Sequence, residues 1–430
     1  MHTTTPAPHT PTPPATAKHN NTPRLRFAEF QEAVPTHPLS GIAEIVNEKI
    51  RVEAISSSSY VSTENLLPEF AGMAATGNLP PVISVTRFQP KDILISNIRP
   101  YLKKVWQADI HGGASNDVLV VRAKSHVDAN YLAALLRSDH FIDYVMRGAK
   151  GVKMPRGEIS MIREFPIPCP SDAEQQKIAA CLTSLDTLIT AQTQKLDTLK
   201  THKKGLMQQL FPRAGETTPR LRFAEFRGEW EKRVFGEQGQ FLPALTGKSG
   251  NDFDTGAAKF IPYMNVFANT FINKNDLRSV SVKQDENQTK VIDGDVFFTI
   301  SSETPDEVGM SSVLLDHIDN CFLNSFCTLF RFSEGNKINP VFCGYLLRQP
   351  IVRNYFAKKA QGSTRFNLSK DVFRNLPVYI PSDLEQQKIA ACLSSLDELI
   401  TAQAQKVTAL QTHKKGLMQQ LFPAQAKASA

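Results

Sequence analysis

Long apolar runs are missing from this sequence: none approaches the roughly 18–20 residues needed to cross a bilayer. The six cysteines, at positions 169, 181, 321, 327, 343 and 392, form no CxxC pair and no Cys/His spacing typical of zinc. Residues 1–22 are rich in Thr, Pro and His and hold no apolar stretch, which predicts a disordered leader and not a signal peptide. We therefore expect a cytoplasmic protein without a disulfide framework or a metal site.

Catalytic and nucleotide-binding motifs are also missing. The sequence TGKS at 246–249 resembles the end of a P-loop, but Leu242 stands where that motif needs its first Gly. The sequence NPVF at 339–342 lacks the second Pro of the NPPY/F tetrapeptide of adenine methyltransferases, and no Gly-rich strand–turn–helix accompanies it. We therefore predict that the chain has no catalytic residues and binds no cofactor.

The charge balance is mildly basic. There are 49 Lys and Arg residues against 42 Asp and Glu, a formal net charge of +7, and the pI is about 9.0. This balance suits a polyanionic partner such as nucleic acid, although mildly basic chains of other classes are common.

An internal duplication organises the chain. Residues 174–212 and 385–423 differ at only seven of 39 positions, and the sequence PRLRFAEF occurs at both 23–30 and 219–226. The stretches between these copies share little sequence. Because divergent interiors lie between near-identical frames, we interpret the interiors as two domains of one fold that recognise different targets.

Each long copy predicts a helix, over about 172–210 and 383–421. Apolar residues recur every three or four positions, with polar interruptions at Gln192 and Gln403, which is typical of a coiled-coil seam. We favour antiparallel pairing of the two helices, which gives a pseudo-twofold layout. The seam alone also allows a parallel pair.

The segments 23–170 and 213–381 predict two tandem α/β domains. In the first, strand-like runs occupy 82–85, 92–98 and 117–122, and a helical pattern occupies 131–147. Loops of both domains hold residue types that contact phosphates and base edges, although any one of them is also typical of a solvated loop. The candidate DNA-contacting residues are Ser58, Tyr60, Asn97, Arg99, Tyr101, Lys103, Lys104, Ser115, Asn116, Lys153, Arg156, Lys248, Ser249, Asn251, Asn265, Asn269, Arg365, Asn367 and Lys370.

Taken together, these features resemble the specificity subunits of type I restriction–modification systems. The resemblance covers about 23–423 and is carried by EQQKIA at 174–179 and 385–390, each after a Pro-rich FPIPCP or LPVYIP, and by DILISNIRP at 92–100. It implies two target-recognition domains, 23–170 and 213–381, that each read half of a bipartite DNA site. The helices 171–212 and 382–423 would space them, with a leader over 1–22 and a tail over 424–430.

The resemblance also implies partner subunits. Two copies of an adenine-N6 methyltransferase subunit would carry S-adenosylmethionine, and a translocating nuclease subunit would use ATP and magnesium. The repeated first helical turns supply the candidate subunit-docking residues Glu174, Gln175, Lys177, Glu385, Gln386 and Lys388. Two other classes stay open: a stand-alone bipartite DNA-binding regulator and a coiled-coil protein scaffold. One departure from the duplication is Trp230, which has no counterpart in the first half.

Overall fold

The structure, a computed structural model, describes residues 23–74, 78–335 and 338–422. The leader and the tail predicted over 1–22 and 424–430 lie outside the described residues. The described chain forms two compact units: the first comprises residues 23–192 and 406–422, and the second comprises residues 193–405.

Two long helices contribute to both units. They span Asp172–Gln209 and Asp383–Leu421, which confirms the predicted helices to within one residue at each end. Both lack Pro and begin with acidic residues, which favour a helix amino terminus. The units divide inside these helices and not at their ends. Ile178 near the start of the first helix and Leu421 at the end of the second belong to the core of the first unit, and Ile389 near the start of the second helix belongs to that of the second unit. The predicted bounds of the domains and spacer helices stay a prediction.

The first unit is a mixed α/β structure built on two four-stranded sheets. One sheet contains, in spatial order, Ala43–Ile45, Val118–Ala123, Ile93–Ser96 and Val105–Gln107. The other contains Lys49–Arg51, Ser84–Phe88, Gly112–Ala114 and Tyr60–Val61, of which the last two are parallel. Thr36–Pro38 pairs with Pro166–Pro168. The helices are Leu39–Ile42, Ala129–Leu136, Asp139–Arg147 and Ile159–Arg163, with 3₁₀ turns at Val52–Ala54, Ser57–Ser59 and Pro100–Leu102.

The second unit has a similar organisation. A four-stranded antiparallel sheet contains Gly239–Leu242, Cys327–Phe332, Val296–Thr299 and Ser311–Val313, and a three-stranded sheet contains Arg278–Val280, Phe253–Ile261 and Cys321–Leu323. Two strand pairs join Glu231–Val234 to Pro377–Ile380 and Ser301–Ser302 to Phe366–Asn367. The helices are Tyr263–Ala268, Pro340–Leu347, Pro350–Lys359 and Lys370–Arg374, with 3₁₀ turns at Phe235–Gln238 and Gly250–Asp252. Both units are thus mixed α/β, as predicted.

The strands Ile93–Ser96 and Val296–Thr299 are buried on both faces. In the first unit, Ile93 and Ile95 belong to one core cluster and Leu94 belongs to another. Successive side chains of a strand point to opposite faces, so a strand between two layers needs the uninterrupted apolar run that the sequence shows. The strand Val296–Thr299 of the second unit is buried in the same way.

The helix predicted over 131–147 is instead two helices that meet at Ser138. The Ser138 hydroxyl accepts a hydrogen bond from the Phe141 amide at 3.2 Å and donates one to the Leu135 carbonyl at 2.6 Å. Ser is a favoured N-cap because its side chain satisfies an amide that has no partner within the helix. The apolar periodicity continues across this break, which is why the sequence reads as one helix.

Candidate nucleic-acid interface

Three predicted DNA-contacting loops of the first unit meet through their backbones. The Arg99 amide donates to the Pro155 carbonyl at 2.8 Å, and the Gly157 amide donates to the Asn97 carbonyl at 3.1 Å. The Asn97 amide in turn donates to the Asp117 carbonyl at 2.8 Å. Loops that are up to 60 residues apart in sequence therefore form one continuous surface, next to the carboxyl end of the strand Ile93–Ser96.

The loop that contains Ser58 joins this surface through a contact with Ser115. The Ser115 amide donates to the Val61 carbonyl at 2.9 Å, directly after the turn that exposes Ser58. Asn116 is exposed and accepts a hydrogen bond from the Lys49 ammonium at 3.2 Å. Lys49 escaped the sequence-based prediction because it lies on a short strand and in no basic cluster.

Residues 150–156 form a hairpin, here called the first hairpin, at the centre of this surface. Lys150 and Arg156 exchange both backbone hydrogen bonds at 2.9 Å. Gly151 has a φ of +100°, a conformation that glycine adopts at little cost. The Arg156 guanidinium, which is exposed, lies 3.1 Å from the Asp117 carboxylate.

Residues 361–367 form the equivalent hairpin in the second unit, here called the second hairpin. Gln361 and Asn367 exchange backbone hydrogen bonds at 3.0 and 2.8 Å, and Asn367 pairs with Ser301. The Leu368 amide donates to the Ile300 carbonyl at 3.1 Å, as the Gly157 amide does to Asn97 in the first unit. The backbone frame is therefore the same in the two units.

Side chains at matching positions of the two frames differ in chemistry. Ile300 takes the place of Asn97, and Asn367 takes the place of Arg156. Phe326, which accepts from the Ile300 amide and is well exposed, takes the place of Asp117. Sequence analysis missed Phe326 because it sits in an apolar run that reads as a strand. The two units therefore present different side chains on the same backbone frame.

Two polar atoms at the base of the first hairpin have no hydrogen-bond partner within the described chain: Asn97 Oδ1 and Arg99 Nε, both buried. Arg99 also has a left-handed backbone with φ +52°, which costs a non-glycine residue about 1 kcal/mol. Asn and Arg side chains can bond to adenine and guanine edges in bidentate fashion. Strain and unsatisfied polar atoms of this kind often accompany functional sites.

Other candidates are exposed and compatible with contacting a ligand, and for these the assignment stays a prediction. In the first unit they include Ser58, Tyr101, Asn116, Lys153 and Arg156. In the second unit they are Ser249, Asn251, Arg365, Asn367 and Lys370.

The predicted role of Asn265 is wrong. Asn265 is fully buried, and its amide donates to the carbonyls of Asn273 at 2.9 Å and Asp276 at 2.7 Å while accepting from the Asn273 amide at 2.9 Å. The Asn265 side chain organises the turn after helix Tyr263–Ala268, so it has no spare hydrogen-bonding capacity for a base. Asn269 is half-buried and donates to the Asn265 carbonyl at 3.2 Å, and its contact with DNA stays a prediction.

Three predicted lysine contacts are engaged within the protein. Lys248 is 5% exposed and forms an ion pair with Glu286. Lys104 donates to the Thr63 carbonyl at 2.7 Å. Lys103 lies 3.0 Å from the carboxylates of both Glu69 and Asp139, which raise its pKa. In this conformation the three ammonium groups stabilise their own loops, so the structure does not support phosphate contacts from them.

Tyr60 and Ser115 contact each other and hold their two loops together. Tyr60 is buried, and this burial raises the pKa of its hydroxyl, which hydrogen-bonds to Ser115. The prediction that Tyr60 contacts DNA is therefore wrong for this conformation, because its ring faces the protein.

The structure also contradicts subunit docking by Glu174 and Gln175. Glu174 is 1% exposed, and its two carboxylate oxygens accept from Nε and Nη2 of Arg26, each at 2.7 Å. Gln175 is equally buried, donates to the Pro170 carbonyl at 2.9 Å and accepts from the Asp128 amide at 3.0 Å. Both side chains hold their own unit together.

The second copy shows the same arrangement, so the docking prediction is wrong there too. Glu385 is buried and accepts from Nε and Nη2 of Arg222, each at 2.7 Å. Trp230, whose place in the fold the sequence left uncertain, adds an indole hydrogen bond to Glu385 at 3.3 Å. Buried Gln386 accepts from the Asn339 amide at 2.9 Å and donates to the Pro381 carbonyl at 3.0 Å.

The two repeated motifs therefore bind each other within each unit. The short copy at 23–30 supplies Arg26 to Glu174, and its Leu25 amide donates to the Gln420 carbonyl at 3.0 Å. The short copy at 219–226 supplies Arg222 to Glu385, and its Leu221 amide donates to the Gln209 carbonyl at 3.0 Å. We call these two arrangements the first clamp and the second clamp. Each clamp joins the start of one long helix to the end of the other.

Lys177 and Lys388 are half exposed at the edges of the clamps. They form ion pairs with Glu29 and Glu225, and their ammonium groups lie 4.9 Å and 5.3 Å from the ring centres of Phe27 and Phe223. Docking by these two lysines stays a prediction.

The described part of the chain holds no group of three or more His, Cys, Asp or Glu side chains placed to bind a metal ion. None of its helices is both long enough and apolar enough to span a membrane.

Comparisons with known proteins agree with this architecture. The model of the family described as "Type I restriction modification DNA specificity domain" matches residues 83–201 and 229–411, more than half of the chain. A crystal structure of the S subunit of a type I restriction–modification system from M. genitalium superposes with a TM-score of 0.58 at 15% identity, covering 94% of this chain and all of that one. A chain from a study of complex assembly and conformational transition of the type I R-M system gives a TM-score of 0.57 at 16% identity, covering 91% and 98%.

Curated relatives point to the same class. The chain is 23% identical over 279 residues to the type I restriction enzyme MjaVIII specificity subunit of Methanocaldococcus jannaschii, covering 64% of this chain and 65% of that protein. It is 26% identical over 152 residues to the EcoDI specificity subunit of Escherichia coli, covering 35% and 33%. The chain thus spans less than two thirds of the length of these relatives. The fold is that of these S subunit structures, and the chain belongs to the type I restriction modification DNA specificity domain family.

Proposed function

We propose that this chain is the non-catalytic DNA-specificity subunit of a type I restriction–modification complex. Each unit would read one half of a bipartite DNA site. The observation that carries this proposal is the repeated backbone frame around the two hairpins, in which Asn97 and Arg156 are replaced by Ile300 and Asn367. A shared frame fixes how each unit meets the duplex, and different side chains on it give each half-site its own sequence.

The two long helices would pair in an antiparallel coiled coil with a pseudo-twofold layout. Ion pairs between the helices support this proposal: Asp186 with Lys414 in the first unit and Lys203 with Asp397 in the second. Residue numbers in these pairs rise along one helix as they fall along the other. The clamps give the same direction, since each joins a helix start to a helix end.

The partners would be two methyltransferase subunits that carry S-adenosylmethionine and a nuclease–translocase that uses ATP and magnesium. Because the first-turn Glu and Gln residues are buried, we place the docking surface on the exposed faces of the repeated helices. Identical exposed residues occur there at matching positions, Gln176 with Gln387 and Ala180 with Ala391. Two near-identical surfaces suit two copies of one partner.

Purification of the tagged chain from its native host tests this proposal. We expect a methyltransferase to co-purify at two copies per chain, and the chain freed of its partners to transfer no methyl group from S-adenosylmethionine to DNA. Methyl transfer by the rigorously purified chain would contradict the proposal. Tight binding to a bipartite site by a chain that has no partners would favour the stand-alone regulator, and absence of sequence-dependent DNA binding would favour the scaffold.

A further inference from the structure

The tip of the first hairpin exposes apolar side chains. Val152 is fully exposed and Met154 is 50% exposed. Tyr101, on the loop that contacts the base of the hairpin, is 47% exposed. Single exposed apolar residues are ordinary on protein surfaces, so the support beneath these residues and their charged neighbours must decide whether they have a role.

The base of the first hairpin is braced on several sides. Lys150 and Arg156 close it with two backbone hydrogen bonds, and the Arg99 amide donates to the carbonyl of buried Pro155. The ion pair of Arg156 with Asp117 adds a side-chain contact. A tip on a braced base loses little conformational entropy when it binds, so its apolar contacts contribute more fully to affinity.

Cationic residues surround the apolar tip. Lys153 lies between Val152 and Met154 and is exposed, and Lys150 and Arg156 flank the tip on either side. Apolar side chains flanked by cations match a duplex, in which stacked bases lie between two rows of phosphates. Proteins that bend DNA insert Met, Leu, Ile, Phe or Pro between base pairs in this manner.

The second hairpin has the same base and a different tip. Ser363, Thr364 and Arg365 stand where the first hairpin has Val152, Lys153 and Met154. Hydroxyl and guanidinium groups suit hydrogen bonds to phosphates and base edges, and they gain nothing from leaving water to enter a base stack. The two units therefore differ in how their hairpins can engage DNA.

We propose that Val152 and Met154 form an apolar wedge that enters the base stack of the half-site bound by the first unit, and that the polar tip of the second hairpin supplies no such wedge. This proposal rests on the DNA-specificity function proposed above and adds a local unstacking of DNA by the first hairpin.

Fluorescence of 2-aminopurine tests the wedge directly. The chain, purified with its partner subunits, is mixed with duplexes that carry its methylation site and a single 2-aminopurine, moved step by step through each half-site. We expect fluorescence to rise on binding at the target adenine of each half-site, which a methyltransferase flips out of the duplex, and at one further step in the half-site of the first unit, because an unstacked 2-aminopurine is less quenched. The double variant Val152→Ser, Met154→Ser should lose only the rise at this further step.

Ile110→Ser is the matched control. Ile110 is also an exposed apolar residue of the first unit. Ile110 follows the strand Val105–Gln107, and Gln107 pairs with Ile93, the first residue of the strand Ile93–Ser96. The first hairpin lies at the other end of that strand, near Ser96, so Ile110 is away from the hairpin. The control variant should retain the fluorescence rise.

A mismatch gives a second, independent readout. A mismatched base pair at the wedge step lowers the cost of unstacking, so the unmodified complex should bind the mismatched duplex roughly tenfold more tightly than the paired one. The double variant should show no such preference. Both changes lie at an exposed tip, so folding is not at risk.

Two results would refute the wedge without refuting the proposed function. In the first, the double variant keeps both the fluorescence rise at the further step and the preference for the mismatched duplex. In the second, the double variant keeps both of these signals but no longer co-purifies with the methyltransferase. The latter would assign the tip to a protein contact. Failure of the unmodified complex to prefer its mapped site over other duplexes would instead refute the proposed function itself.

Discussion

Replacing Glu174 by Gln removes the buried carboxylate of the first clamp. The Arg26 side chain, 13% exposed, would keep the Glu32 carbonyl, at 2.6 Å, and one amide oxygen of the substituted side chain, and would lose its third acceptor and the opposite charge. Removing one partner of a buried ion pair costs about 3–5 kcal/mol. Because Arg26 retains two acceptors and some contact with water, we expect about 2–3 kcal/mol for the opening of the first clamp.

Hydrogen exchange at the Leu25 amide measures this change locally. That amide donates to the Gln420 carbonyl, so it exchanges when the clamp opens. A cost of about 2–3 kcal/mol corresponds to exchange that is roughly 30- to 150-fold faster, at 1.4 kcal/mol per factor of ten. The Leu221 amide of the second clamp, which donates to Gln209, provides an internal control that should not change.

The reciprocal and control variants complete this test. Glu385→Gln should speed exchange at Leu221 and leave Leu25 unchanged. Lys177→Gln removes an ion pair that is about half exposed and should cost under about 1 kcal/mol. If Glu174→Gln left exchange at Leu25 unchanged, or speeded both clamps equally, the reasoning that each clamp holds its own unit would be refuted.

Two further predictions concern acid stability and the misassigned asparagine. Lys415 and Lys103 lower the pKa of the Asp139 carboxyl, so the stability that this contact adds is present above the carboxyl's unfolded-state pKa and is lost as the pH falls through the lower folded-state value. Lys415→Gln should therefore move the onset of acid unfolding of the first unit to higher pH, as measured by circular dichroism. Asn265→Ala would leave the carbonyls of Asn273 and Asp276 without their donor and should cost about 2–3 kcal/mol in urea unfolding. The exposed Asn251→Ala should cost under about 0.5 kcal/mol. Equal costs for the two asparagine variants, or an unshifted acid transition, would show that these contacts do not stabilise the protein as described.

Sequence periodicity was enough to predict the long helices and the strand Ile93–Ser96, because both signals are local. The clamps could not be predicted in that way, since Arg26 and Glu174 are 148 residues apart. A signal was nevertheless present: both motifs occur twice, each with complementary charges. Predicting docking by Glu174 and Gln175 of the EQQK motif was wrong because repetition alone does not distinguish residues that hold a unit together from residues that contact a partner.

The sequence was enough to predict which loops form the candidate site. It was less successful at predicting which of their side chains are exposed. The loops around Asn97 and Arg156 do meet, because the loop after the strand Ile93–Ser96 hydrogen-bonds to the hairpin between the helices Asp139–Arg147 and Ile159–Arg163. The prediction that Asn265 contacts DNA was wrong because the sequence does not distinguish a buried asparagine that organises a turn from an exposed one. Burial depends on packing from distant segments, which composition does not show.

Genome-wide mapping of methylated adenines tests the central claim, that each unit reads its own half-site on a shared frame. The variant to map has residues 31–170 exchanged for the matching domain of another family member, with the short copy at 23–30 and its contact to Glu174 retained. We predict that one half-site changes while the other half-site and the spacing between them stay as in the unmodified complex. An active complex in which both half-sites change, or in which neither does, would contradict the account.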